Sequence, residues 1–274
     1  MRAHIWGCRG SLAAPGPGTI RYGGNTSCIE VRSEAGGLIV LDAGTGIRAL
    51  GQTELPDRIH LLLTHLHIDH IEGLGFFRPV WLRETELHIW GPPSPTRTLE
   101  SRIARYLSPP LFPRELAELP CRLRFHDVPG EDWELEGVLV RAAPVAHPGP
   151  TLGYRLSENG RALAYIPDHE PALTRRLEAR EGEWISGWEV AAGADVLLHD
   201  AQFTETEYPL RVGWGHSSVA HAVSFASLAK VRQLLLFHHD PARTDDELET
   251  LLARARQLAD GEIDLAYEGA GLAV

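Results

Sequence analysis

The chain is short of the residues that build disulfide frameworks, basic tracks and membrane spans. Cysteine occurs three times in 274 residues, at Cys8, Cys28 and Cys121. That odd number, widely scattered, excludes a disulfide scaffold and a thiolate zinc site. Lysine occurs once, at Lys230, and asparagine twice, at Asn25 and Asn159. Scarce amides fit a heat-adapted source, while scarce lysine fits GC-rich coding as readily. Acidic residues outnumber basic ones by 37 to 26, the formal charge is −11, and no basic block is present. A long nucleic-acid track is therefore not expected, because phosphate contacts depend on clustered Lys and Arg. No stretch reaches the roughly 18 apolar residues of a membrane-crossing helix, and Met1 to Gly10 lacks the apolar segment of an export signal. The expected setting is the cytosol, with no membrane partner.

Histidine, by contrast, is concentrated. The segment His65, Leu66, His67, Ile68, Asp69, His70 directly follows the apolar run Leu61, Leu62, Leu63. Four metal-competent side chains within six residues, placed where a buried strand ends, point to a metal centre. His4, His60, His88, His126 and His221 have no cluster around them and read as surface or satisfied core histidines rather than ligands. Gly44, Thr45, Gly46 lacks the Lys and Ser or Thr of a nucleotide P-loop and reads as a turn.

Strand-like runs come at Cys28 to Arg32, Leu38 to Leu41 and Ile59 to Leu63, then at Val138 to Val145, Leu152 to Leu156, Ala162 to Ile166, Val196 to Leu198, Leu234 to Phe237 and Ile263 to Ala266. Helical spacing covers Thr96 to Leu107, a stretch near Leu173 to Arg180, and Asp245 to Leu258. Ser217 or Ser218 caps a further helix running to Ala229. Continuous apolar strands imply sheets covered on both faces, so two sheets between helices are the natural packing. No linker divides residues 1–274, which read as one domain.

With these pieces in place the sequence resembles the metallo-β-lactamase fold superfamily over essentially its full length. His65 to His70 is that superfamily's HxHxDH motif. Asp42 in Leu-Asp-Ala-Gly-Thr-Gly, His147 after a strand, Asp168 in Tyr-Ile-Pro-Asp-His and His238 after the last long apolar run follow in the expected order. The resemblance implies an α/β fold, a four-layer αββα sandwich of two mixed β-sheets flanked by helices. It also implies two divalent metal ions per chain. His65, His67 and His147 would hold one, Asp69, His70 and His238 the other, and Asp168 would bridge them. Zinc is the expected ion, and manganese or iron suits the same mixed nitrogen and oxygen donors. A pair about 3.5–4 Å apart activates water and offsets charge on attacking and leaving oxygens. Of the neighbours His238 and His239, facing opposite sides of an extended segment, His238 matches the family pattern. Asp42 reads as a supporting residue.

Leu197 to Ala201 and Gly213 to Ser218 further resemble the phosphodiesterase branch, which includes ribonuclease Z and small cyclic-phosphodiesterases. By that likeness His216 would protonate the leaving oxygen or touch the scissile phosphate, with Asp200 behind it. Asp69 joins these two among the residues expected to take part in catalysis. The expected substrate is a small or cyclic phosphodiester. A thioester or lactone hydrolase on the same site, an RNA 3′-end endonuclease and a non-catalytic metal-binding module are the alternatives. A Gly- and Pro-rich basic arm for transfer RNA is not evident. Arg97, Arg102 and Arg105, before the Pro-rich Ser108 to Pro113, are either a solvated helix face or a phosphate clamp. The oligomeric state is open, a homo-oligomer included.

Overall fold

The computed structural model describes residues 1–171, 173, 177, 184–259 and 261–274. The first half forms β1 (Arg2–Gly7), β2 (Cys28–Arg32), β3 (Leu38–Leu41), β4 (Arg58–Leu62), β5 (Glu86–Gly91) and β6 (Arg122–Asp127). Between them lie α1 (Ile47–Leu50), α2 (Ile68–Ile71) and α3 (Leu99–Ile103). The second half forms β7 (Trp133–Leu135), β8 (Val138–Pro144), β9 (Leu152–Glu158), β10 (Arg161–Ile166), β11 (Val196–Asp200), β12 (Gln233–Phe237), β13 (Glu262–Leu265) and β14 (Gly271–Ala273). Its helices are α4 (Trp188–Ala191), α5 (Val219–Leu228) and α6 (Asp245–Ala255).

The strands make two seven-stranded sheets, ordered β14-β1-β2-β3-β4-β5-β6 and β13-β12-β11-β10-β9-β8-β7. Each is mixed: β3 to β6 are parallel in one and β10 to β13 in the other, with antiparallel strands beyond. Ile5, Ile29, Leu41 and Leu62 of the first sheet meet Val140, Tyr154, Leu198 and Phe237 of the second in a shared core. On the outer face of the first sheet, Val40, Leu61 and Ile89 pack under Ile47, Leu50 and Ile103. On the outer face of the second, Leu197, Leu234 and Leu236 pack under Val223, Leu248 and Leu252. Helix, sheet, sheet and helix thus stack in four layers. The parallel strands β3 and β11 are buried at every position, which is why they read as continuous apolar runs.

Some boundaries differ from the sequence reading. The Thr96 to Leu107 helix is only α3, opened by Thr98, whose hydroxyl accepts from the Ser101 N–H. Beyond it the chain turns so that Leu107 and Phe112 reach the outer core. Helix α6 stops at Ala255, three residues before Leu258. Ser218 is the cap of α5, its Oγ accepting from the His221 N–H. The expected helix at 173–180 lies outside the described residues except at 173 and 177.

The parallel strands deliver chemistry to one edge. Their C-terminal ends carry Asp42 after β3, His65 to His70 after β4, Asp168 after β10, Asp200 at the end of β11 and His238 after β12. Strand β8 is antiparallel to β9, and so runs with β10; its end leads to His147. Carboxyl ends of parallel strands are where open α/β sheets place their ligands.

Candidate metal centre

The site is built outward from Asp42, which leaves β3 in the left-handed conformation with φ of 59°. Its fully buried carboxylate accepts from the Thr64 N–H (2.8 Å), the Thr64 hydroxyl (2.9 Å), the Tyr165 hydroxyl (2.9 Å) and His70 Nδ1 (2.8 Å). With its proton on Nδ1, His70 turns the Nε2 lone pair inward. The Thr64 proton is committed to Asp42, so Thr64 Oγ1 accepts from His65 Nδ1 at 3.1 Å, and His65 Nε2 also faces inward. Asp42 therefore orients two imidazoles without reaching the centre itself. Replacing it by Asn puts an amide where donors converge. Metal affinity should fall about 10- to 100-fold, read by competition with a chelator.

The other imidazoles are locked in the same sense. His147 Nδ1 donates to the Gly215 carbonyl at 2.8 Å, leaving its Nε2 lone pair 3.1 Å from His67 Nδ1. His238 Nδ1 donates to Gln202 Oε1 at 3.1 Å, leaving Nε2 facing Asp69 Oδ2 and Asp168 Oδ1, each 3.3 Å away. Close approach requires glycine at two places. A Cβ on Gly10 would sit 2.2 Å from His238 Nδ1. One on Gly215, where φ is 88°, would sit 2.2 Å from Pro148 Cδ and 2.4 Å from His147 Nδ1.

Asp168 stands between two groups. Its Oδ2 is 3.8 Å from His65 Nε2 and 3.6 Å from His147 Nε2; its Oδ1 is 3.1 Å from His70 Nε2 and 3.3 Å from His238 Nε2. Donor atoms of His65, His67 and His147 lie within 4.8 Å of one another, as do those of Asp69, His70 and His238. His65 Nε2, His70 Nε2 and Asp168 Oδ1 are buried without a hydrogen-bond partner. Converging lone pairs and unpartnered buried donors are costly in a bare protein and favourable around cations, so this donor set fits divalent metal ions.

The electrostatics agree. Burial works against a charged His70, yet Asp168, Asp69 and Asp42 raise its pKa well above the ordinary value. Burial pushes His65 well below it, with His70 adding to the effect, and keeps His147 low. Burial would raise the carboxyl of Asp168, but His238, His70 and His65 hold it well below the usual range. Asp69 is held low against burial by His70 and by hydrogen bonds with His238 and His70. Ionised carboxylates and the neutral imidazoles of His65 and His147 are the forms that bind metals, while the raised His70 pKa marks a concentration of negative charge in which a cation would take the place of its proton.

Beside this cluster, His216 Nδ1 donates to Asp200 Oδ2 at 2.7 Å, and Asp200 also accepts from the His169 and Gln202 N–H groups. Burial lowers the His216 pKa, but Asp200, then Asp168 and Asp69, more than reverse it and raise it to about 9. His216 is stacked on His238 with ring centroids 4.9 Å apart. His239 points away, donating from Nε2 to the Ala266 carbonyl at 2.8 Å. The two histidines diverge because the chain kinks at His238 (φ 57°) as β12 ends, rather than continuing extended.

Several residues unmarked by the sequence reading support the site. Ser11 N–H donates to Asp69 Oδ2 at 2.8 Å. Glu170 accepts from the Gly213 and Gly215 N–H groups at 2.9 and 2.8 Å. His169 Nδ1 donates to His199 Nε2 at 3.0 Å, since His199 Nδ1 is committed to the Asp200 carbonyl. A sequence signal existed for two of them: Asp168, His169 and Glu170 crowd a strand end just as His65 to His70 do. One expectation needs correction. His60, His88 and His126 are not isolated, for His60 lies opposite His88 in the parallel register and His88 Nδ1 is 2.9 Å from His126 Nε2. Of the three arginines that precede the Pro-rich segment, Arg102 donates to the Pro92 carbonyl, and Phe112 of that segment is buried in the outer core.

The pattern of the β-lactamase superfamily domain matches residues 38–239. A ribonuclease Z of Mycobacterium sp. (strain KMS) is 29% identical over 274 residues, covering 91% of this chain and 87% of the relative. One from Deinococcus radiodurans is 32% identical over 264 residues, covering 83% and 73%. Among solved structures, a diphosphatase from the PhnP family superposes with a TM-score of 0.71 at 20% identity, covering 100% of this chain and 97% of that one. Human tRNase Z, short form, does so at 0.68 and 21%, covering 100% and 99%. No helix among the described residues is long and apolar enough to cross a membrane. The chain belongs to the β-lactamase superfamily and is a hydrolase of the metallo-β-lactamase fold, related to ribonuclease Z.

Proposed function

We propose that the protein is a phosphodiesterase acting on a small or cyclic phosphodiester at a site for two divalent ions, with zinc as the natural occupant. The observation that carries this reading is the division of Asp168, one oxygen toward His65 and His147 and the other toward His70 and His238. In it, His65, His67 and His147 hold one ion, Asp69, His70 and His238 hold the other, and Asp168 is shared. Such ions lower the pKa of water and offset charge on phosphoryl oxygens. The chain's own part is to bind and orient the ester and to supply a proton. His216, its Nδ1–H held by Asp200 and its charged form favoured there, presents the Nε2–H to the leaving oxygen.

The relatives named ribonuclease Z support a second reading, an RNA 3′-end endonuclease. The net charge of −11 weighs against it, since an extended RNA needs many cationic contacts. Zinc-loaded protein should hydrolyse bis(p-nitrophenyl) phosphate and a 2′,3′-cyclic nucleotide faster than a thioester, a lactone or a transfer-RNA precursor with a 3′ trailer. Faster turnover of the precursor would establish the endonuclease; faster turnover of the thioester or lactone would remove the phosphodiester reading.

A further inference from the structure

Residues 208–215 form a loop beside His216 that is pinned at both ends by one buried side chain. Glu170 accepts from the Tyr208 hydroxyl at 2.9 Å and from the N–H groups of Gly213 and Gly215. Successive turns, Arg211 N–H to the Tyr208 carbonyl and Trp214 N–H to the Arg211 carbonyl, close the loop between those anchors. The Arg211 guanidinium lies 5.0 Å from the centroid of the Phe203 ring and 6.0 Å from that of Trp214. The Phe203 ring in turn meets His216 edge-on at 5.8 Å. Phe203 thus links Arg211 to the residue assigned to the departing oxygen, with the guanidinium against Phe203 and His216 at another side of that ring.

Two properties of this platform are unusual for a surface loop. Its cation is uncommitted: Arg211 donates to the Glu207 carbonyl at 3.3 Å, and among the described residues no carboxylate pairs with it. The Glu207 carboxylate is taken by Arg243 at 2.7 Å. Trp214 is 61% exposed, which leaves a large aromatic surface open to a planar partner. On a chain of net charge −11, an unpaired guanidinium held between two rings is a local attraction for anions.

We infer that Arg211 and Trp214 recognise the departing half of the substrate, and that this half is a nucleotide carrying a phosphate of its own besides the scissile ester. This rests on the phosphodiesterase reading above and on His216 as the proton donor. In the reaction, water oxygen joins phosphorus, its proton passes to solvent, from which His216 is later reprotonated, and the bond from phosphorus to the departing oxygen breaks. That oxygen takes a proton from His216. Arg211 pairs with the second phosphate and Trp214 stacks on the base. Arg211 and Trp214 then determine specificity, since they distinguish a nucleotide from an uncharged nucleoside or a simple alcohol.

The test compares thymidine 3′-monophosphate with thymidine as ligands of the metal-stripped protein by calorimetry, and TpTp with TpT as substrates of the zinc-loaded protein. Wild type should favour the phosphate-bearing member of each pair about tenfold, as a charge-assisted contact implies. Arg211→Leu should bring both ratios to about one, and Arg211→Lys should restore them in part because charge returns without the planar fork. Trp214→Ala should weaken thymidine and its phosphate alike. Unchanged ratios in Arg211→Leu overturn the inference while leaving phosphodiesterase activity intact. Binding that depends on Arg211, without cleavage of any phosphodiester, overturns the proposed function and leaves Arg211 as an anion site.

Discussion

Asp168→Ala should carry fewer than one divalent ion per chain after dialysis, where the wild type should carry two, and hydrolysis should fall to background. The reason is the position of the carboxylate: each oxygen faces a different pair of imidazoles, and both pairs lose the charge between them when it is removed. Without it the remaining imidazoles can pair with one another instead of with an ion, as His147 Nε2 and His67 Nδ1 do at 3.1 Å. Elemental analysis gives the result directly. Full occupancy of both sites in Asp168→Ala would falsify the shared-ligand assignment. In the same experiment His238→Ala should lose one ion. His239→Ala should keep both ions and lose stability, because its ring reaches the Ala266 carbonyl instead of the centre.

The second large effect is expected at His216. His216→Ala should retain both ions and lose about 10²- to 10⁴-fold on an ester whose leaving group is an alkoxide. On a nitrophenyl ester, whose leaving group needs little protonation, the loss should be smaller. Asp200→Asn should show the same ordering at reduced size. The pH profile carries an independent sign. Asp200 raises the His216 pKa from 6.5 to about 9, while cations alongside would pull it down. For the alkoxide substrate, activity should therefore decline on the alkaline side as His216 loses its proton, with a midpoint between those two values. Asp200→Asn should move that midpoint to lower pH. Equal losses on both esters would make His216 a charge-stabilising group, and loss of an ion would make it a ligand.

The legible part of this molecule was the part in which neighbours in space are neighbours in sequence. The His65 to His70 cluster is six consecutive residues, and the buried parallel strands announce themselves because both faces are covered. Strands β1, β5 and β6 went unanticipated for the opposite reason. In β1 and β5 His and Trp residues alternate with buried positions, and in β6 exposed Arg residues alternate with half-buried ones, so a strand that is half polar resembles a loop in a linear reading. The grouping of His60, His88 and His126 was hidden likewise, since parallel register between strands 25 or more residues apart leaves no local trace.

By itself, the sequence determined which donors exist, their order along the chain and the layers that would carry them, because apolar periodicity and strand-end placement are local properties. Tertiary structure alone decided how those donors face one another. Each imidazole takes its tautomer from a partner far away in the chain: Asp42 for His70, Gly215 for His147, Gln202 for His238 and Asp200 for His216. Hydrogen-bond direction depends on distances of about 3 Å, and only the closing of two sheets along a common edge brings these groups within that range.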